Sequence, residues 1–247
     1  MGKVSLDLLF NFCSNTFCLS SARSPVNLSY YNNHPKRTHF ERCLKRLKQE
    51  ILRMGTLVEE SCRLSHQALF NQNLDAVGKI IKIDRQVDRY YRQIELDCAS
   101  LMTLQAPVAQ DLRLVSAFMQ LVRDLERIGD YAKDLAKIAV KLLSYPPHPI
   151  MEEAATMSYH AQMMLGTSLV ALVELDGNAG KQVKRLDDTV DDTYEKLYQT
   201  LACQRDIQGV IEPFLLLALV ICHLERMADH STNIAQRVSY IVTGYRG

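Results

Sequence analysis

Residues 125–130 read LERIGD, and residues 224–229 read LERMAD, the same pattern 99 positions later. Leu125 and Ile128, like Leu224 and Met227, are spaced to share one face of an α-helix. Glu126 and Asp130, like Glu225 and Asp229, stand four residues apart and share another. Upstream, Asp84, Val87, Asp88 and Tyr91 return as Asp187, Val190, Asp191 and Tyr194, 103 positions on. The apolar positions of this repeat predict a duplicated helical fold. The acids have no packing reason to be copied, so their return points to a duplicated site.

Outward from these motifs, apolar residues at steps of three and four predict helices throughout. The first runs from about Thr38 to Phe70, on Phe40, Leu44, Leu47, Ile51, Met54 and Val58, and ends at Asn71-Gln72-Asn73. The second runs from about Leu74 to Leu104 and is broken at Ala106-Pro107, because proline has no amide to continue the ladder. The third runs from about Val108 to Ser144, with Leu114, Phe118, Leu121, Leu125, Ile128, Ala132, Leu135, Ala139 and Leu142 as its stripe. Pro146-Pro147-His148-Pro149 then marks a boundary. The second half repeats the plan with Ile150 to Leu175, Ala179 to Cys203 and Val210 to Val242. No segment alternates as a strand does. Short connections between long helices force neighbours to run antiparallel. The expected fold is therefore all-α: two tandem three-helix bundles, up-down-up, over 38–145 and 146–247. Residues 1–37 are expected to be a disordered leader. Lys3 followed by Val4 to Phe12 only faintly resembles a signal peptide, since Asp7 and Asn11 interrupt it, and Leu6 stands where a myristoylation signal wants Ser or Thr.

Composition narrows the function classes. The 247 residues are 47% hydrophobic and 23% charged with a net charge of +1, which suits a soluble protein and does not suggest nucleic-acid binding. The longest apolar run, Phe214 to Cys222, is far short of the ~20 residues that span a bilayer. Seven cysteines, at 13, 18, 43, 62, 98, 203 and 222, contain no CxxC, so neither a disulfide framework nor a zinc ribbon is expected and a cytoplasmic location is.

On a helical wheel the acids Asp84/Asp88, Glu126/Asp130, Asp187/Asp191 and Glu225/Asp229 share faces in pairs, about 80° to 160° from the apolar stripes, and so are expected outside the core. A solvated surface gains nothing from such pairs: like charges at i,i+4 are unfavourable by roughly 0.2–0.5 kcal/mol. Four pairs at matching repeat positions, one from the second and one from the third helix of each half, predict two carboxylate metal sites. Such donors suit hard or borderline cations (Fe, Mn, Mg or Ca), not copper(I) or a Cys/His structural zinc. The inward Glu-x-x-His pairs of di-iron bundles are missing. His223 and His230 flank the second pair without counterparts in the first half, and are expected to be solvated or outside the ligand set. Phosphate-loop, nucleophile-elbow and HExxH signatures are absent, so no catalytic residue is assigned. Gly129, inside a helix, suggests close backbone approach. Arg113, Arg127 and Arg226 could offset the acids or face an anionic partner, and ion pairs within the bundle are the role expected first.

Pro107-Val-Ala-Gln-Asp-Leu-Arg-Leu-Val, followed by Leu-Glu-Arg-Ile-Gly-Asp-Tyr-Ala, the repeated DxxxD and ExxxD pairs, and the opening Phe40, Leu47, Met54-Gly55 and Val58-Glu59 resemble the PhoU family from about residue 38 to the C-terminus. The resemblance implies a non-enzymatic negative regulator of the phosphate-starvation response that also modulates phosphate uptake. Its implied partners are a sensor histidine kinase and the ATPase subunit of a phosphate ABC transporter, in a homodimer peripheral to the membrane only through those partners and without nucleic acid. It further implies multinuclear metal clusters, iron first with Mn, Mg, Zn or Ca as alternatives, on Asp84, Asp88, Glu126 and Asp130 and on Asp187, Asp191, Glu225 and Asp229. Two departures, Ala228 for Gly129 and Asn233 for Asp134, make the first half the expected stronger site. The residues alone leave open a carboxylate-bridged metal enzyme or metal store, or a metal-free helical scaffold.

Overall fold

The structure, a computed structural model, describes residues 35–205 and 209–245, with side chains of the first helix from residue 38 onward. The expected leader, with Cys13 and Cys18, lies outside the described residues apart from the start of the first helix. Six helices follow in order: α1 Pro35–Phe70, α2 Asp75–Gln105, α3 Ala109–Leu142, α4 Ile150–Glu174, α5 Ala179–Ala202 and α6 Glu212–Thr243. No strand occurs among the described residues, and no helix there is long and apolar enough to cross a membrane.

Helices α1, α2, α4 and α6 end where the backbone turns left-handed. Gln72 (φ 53°), Ala106 (φ 40°) and Leu175 (φ 53°) close α1, α2 and α4, and Gly244 (φ 81°) closes α6. The Ala106, Leu175 and Gly244 amides cap the carbonyls of Met102, Ala171 and Tyr240. Pro107 follows Ala106 directly, as the sequence reading required.

Two kinds of helix result. The outer helices bury single seams: Ile80, Val87, Ile94 and Leu101 on α2, and Val183, Val190 and Leu197 on α5, repeating every seven residues. The inner helices bury residues along their whole length, from Val115 to Ala139 on α3 and from Leu216 to Ile241 on α6. The described residues from His39 onward form one compact unit whose apolar core draws on all six helices.

The halves meet through equivalent helices. Asp124 and Tyr131 on α3 meet His230 and His223 on α6, while Tyr145 bonds Glu212; partners on α6 step backward as those on α3 step forward. Along α1, Lys48 Nζ donates to the Val173 carbonyl at 3.1 Å, and His66 Nδ1 lies 3.1 Å from Ser158 Oγ on α4. Both pairs therefore run antiparallel, as in an isologous dimer: if i meets j, the copy of j meets the copy of i. Asp124 and His230 correspond by the 99-residue repeat to His223 and Tyr131, and the second pair does stack, with ring centroids 5.4 Å apart.

Of the five described cysteines, all are free, and Cys62 and Cys98 are buried. Gly129 is not at a steric limit: a methyl there would meet Val87 at 3.6 Å and Val58 at 3.9 Å, ordinary contact. Gly55 is, since a methyl would lie 2.7 Å from Leu169 Cδ2 on α4. Gly129→Ala should therefore raise stability by about 1 kcal/mol, the helix-propensity difference, while Gly55→Ala should lower it through overpacking. Urea denaturation of both variants checks the contrast.

Candidate functional site

The outer seams explain where the acids sit. Between Ile80 and Val87 the alternate seam position is Asp84, and between Val183 and Val190 it is Asp187. Val87 and Val190 pack inward, so Asp88 and Asp191 fall at the seam's margin, facing the third helix of each bundle. From that helix Glu126 and Asp130, or Glu225 and Asp229, border the same groove beside buried Leu125 or Leu224.

In the first half, Lys133 Nζ donates to Asp84 Oδ1 on α2 and Asp130 Oδ1 on α3, both at 2.8 Å, and so ties the two helices. Burial works against that ammonium's charge, but the bonds and attraction of Asp130 and Asp84 outweigh it and hold the lysine above its usual range. Glu126 is pushed above the usual carboxylate range by burial first, then by Asp130 and Asp88, with Arg127 opposing. Asp88, Glu126 and Asp130 thus lie within one another's field.

The second half is built differently. Lys184 Nζ reaches Asp187 Oδ2 at 2.9 Å and Asp188 Oδ1 at 3.2 Å, all on α5, so it does not cross to α6. Asp187 is 4% exposed. Its Oδ1 and Thr232 Oγ1 are enclosed without a hydrogen-bond partner. Asp191, Glu225 and Asp229 are each raised, by burial first and then chiefly by Asp187 or Asp229. A cavity of about 430 Å³, lined by Lys184, Asp187, Asp229 and Thr232 among others, lies over them.

This corrects the expectation that all eight acids lie outside the core. Asp187 is buried and Asp84 is mostly covered, with 15% of its side chain exposed. Both occupy the four-three seam itself, which the neighbouring helix closes over; an angle from the stripe's centre misses that. As placed, no three His, Cys, Asp or Glu side chains among the described residues converge on one point that could hold an ion. The donors nevertheless fit a cation in kind: four carboxylates per groove, repelling one another, with an ammonium against part of each set and an orphaned Asp187 oxygen in the second.

The family model of the PhoU domain matches residues 51–139 and 154–238. The chain belongs to the PhoU family. It is 66% identical over 221 residues to a phosphate-specific transport system accessory protein PhoU homolog of Synechocystis sp., covering 90% of this chain and 99% of that protein. To the homolog of Clostridium acetobutylicum it is 32% identical, covering 83% of this chain and 94% of the other. The crystal structure of PhoU from Pseudomonas aeruginosa superposes with a TM-score of 0.78 at 30% identity, over 83% of this chain and all (100%) of that one. The structure of the phosphate transport system regulatory protein PhoU from Streptococcus pneumoniae gives 0.76 at 30% identity, over 84% and 99%.

Within this PhoU fold, sequence reasoning missed Asp124. It lies on the α3 stripe between Leu121 and Ile128 and is buried. Its Oδ2 accepts from Arg237 Nε at 2.8 Å and its Oδ1 meets His230 Nδ1 at 2.9 Å, both from α6. The available signal was a carboxylate on an apolar stripe, which demands a partner. His230, expected to be solvated or to stand outside the ligand set, is not solvated but held between Asp124 and Tyr131.

Two measurements test these assignments. Asp124→Ala should cost about 3 kcal/mol, the low end for breaking a buried pair, because Arg237 and His230 keep some access to water. For the acids, a folded-state pKa above the unfolded one means the native state holds protons more tightly. The resulting penalty is absent below the ordinary glutamate range, grows as pH rises through the raised folded values of Glu126 and Glu225, and is complete at pH 7. In chelator, Glu126→Gln/Glu225→Gln should be more stable than wild type at pH 7, and the gap should close toward about pH 4. Denaturant midpoints at the two pH values read this.

Proposed function

We propose that this chain is an accessory protein of a phosphate-specific transport system and a negative regulator of the phosphate-starvation response. The observation that carries the reading is the 66% identity to a protein bearing that accessory name, over 99% of its length. The structure from S. pneumoniae, titled a phosphate transport system regulatory protein, supports the regulatory half. On this reading a sensor histidine kinase and the transporter's ATPase subunit are its partners, it works in the cytoplasm as a homodimer, and it has no catalytic residue of its own.

In the same proposal the carboxylates hold metal, iron first. Asp84, Asp88, Glu126 and Asp130 form one ligand set, and Asp187, Asp191, Glu225 and Asp229 the other. A bound cation would neutralise the repulsion within each groove and tie the outer helix to the inner one. We place the stronger site in the second half, against the expectation from Ala228 and Asn233. Lys133 already satisfies Asp84 and Asp130 across the first groove, whereas among the described residues Asp187 Oδ1 has no hydrogen-bond partner and no lysine bridges the second.

Deleting the gene should leave phosphate-starvation genes expressed in phosphate-rich medium; full repression there would overturn the regulatory reading. For the metal, chelator-stripped protein should gain thermal stability on adding Fe²⁺ or Mn²⁺, by about 2.7 kcal/mol at a hundredfold excess over Kd. Elemental analysis should show metal in wild type, reduced more by Glu225→Ala than by Glu126→Ala. Equal, metal-free preparations of all three would leave a helical scaffold.

A further inference from the structure

The twofold relation between the halves gives the α3–α6 seam two ends, and the ends differ in chemistry. At one end Asp124 and His230 sit with Gln120, Arg123, Arg127 and Arg237 around a cavity of about 390 Å³. The positions that correspond through the repeat are His223, Tyr131, Leu219, Cys222, Arg226 and Ile138. Packing of the same two helices is thus met, at the other end, with one arginine in place of three and with a ring stack in place of the ion pair. The charged end has a reason other than holding α3 to α6.

Its charges do not cancel. Three guanidinium groups face two carboxylates: Arg237, with His230, engages Asp124, and Arg127 pairs with Glu126. Arg237 also bonds Gln120. Arg127 reaches only Glu126, at 3.7 Å, and Arg123 makes no ion pair among the described residues. Arg123 and Arg127 are one helical turn apart on α3 and exposed at the rim. A guanidinium presents a planar fork of donors that matches oxyanions in pairs.

We propose that this cavity binds a phosphate group, held by Arg123 and Arg127 from α3 and by Arg237 from α6. The net excess of positive charge, three guanidinium groups against Asp124 and Glu126, suits an oxyanion. Each Asp124 oxygen keeps an acceptor lone pair beyond its present bond, so the wall can accept the O–H of hydrogenphosphate, a bond that sulfate cannot offer. The cavity has room for the free ion with water or for the same group on a small organic carrier. The site is set by the seam's own geometry and not by metal at the carboxylates, although Arg127 pairs with Glu126 and His230 also lines the cavity over Asp187 and Asp229.

Equilibrium dialysis of the full chain against labelled orthophosphate, at constant ionic strength and after chelator treatment, tests the proposal. One saturable site per chain is expected, weakened roughly tenfold or more by either Arg123→Ala or Arg127→Ala, the loss of one charge-assisted hydrogen bond. Both are rim positions, so unchanged melting should show that the fold survives. Phosphoserine added as competitor identifies the source: displacement no better than by unlabelled orthophosphate means the free ion, and much tighter displacement means a carried phosphate, with the site supported either way. Four results would overturn it: no saturation up to about 10 mM, binding indifferent to both substitutions, binding abolished by chelator, or sulfate competing as well as phosphate.

Discussion

Helices α3 and α6 each bury two sides, one against the outer helix of their own bundle and one against each other. This double burial limits where every charged side chain can go. A helix with a single stripe has more than half its circumference free for charge, as α2 and α5 do. On α3 and α6 the remaining arc is narrow, and it borders the groove with the outer helix. Glu126 and Asp130, and Glu225 and Asp229, occupy that border, where carboxylates from α2 and α5 must face them. The bundle geometry thus sets where these acids lie, though not their sign, and burial strengthens their repulsion by lowering the local dielectric.

Each groove is partly compensated, by different means. Lys133 lies on the inner helix and spans the groove; its repeat counterpart is Thr232, which cannot. Lys184 lies on the outer helix and serves Asp187 and Asp188 on the same helix; its counterpart is Ile81. The duplication kept the carboxylates and moved the ammonium. A fixed internal cation at every acid would have made both grooves self-sufficient. The second is not, since Asp187 carries a buried oxygen with nothing to receive, and unmet buried acceptors are costly.

The helices were legible in sequence because their ends are set by local chemistry: Pro107 and the Pro146 to Pro149 run stop helices whatever surrounds them. The acid sets were legible because the repeat copied them. The depth of Asp84 and Asp187 was readable in principle, since both fall on the four-three spacing that runs through Val87 and Val190, but a wheel centred on the strongest apolar residues places them outside. Lys133 and Lys184 were not legible, because a lysine near acids is ordinary and neither is repeated. Nor was the partnership of Asp124 with His230 and Arg237, which lie more than a hundred positions away; only the presence of a charge on the stripe could be noticed.

Equivalent surfaces in contact make every seam interaction appear twice, unless substitution separates the two copies. That gives an internal comparison for any charged contact between the halves. Where both copies keep an apolar solution, packing explains it. Where one copy is a ring stack of Tyr131 on His223 and the other a carboxylate held by a histidine and an arginine, packing does not distinguish them. A buried ion pair is seldom more stabilising than well-packed apolar groups of similar size, so the charged copy gains no stability over its neighbour that would account for it. On the proposal made above, its gain comes from what those charges can meet at the cavity beside them.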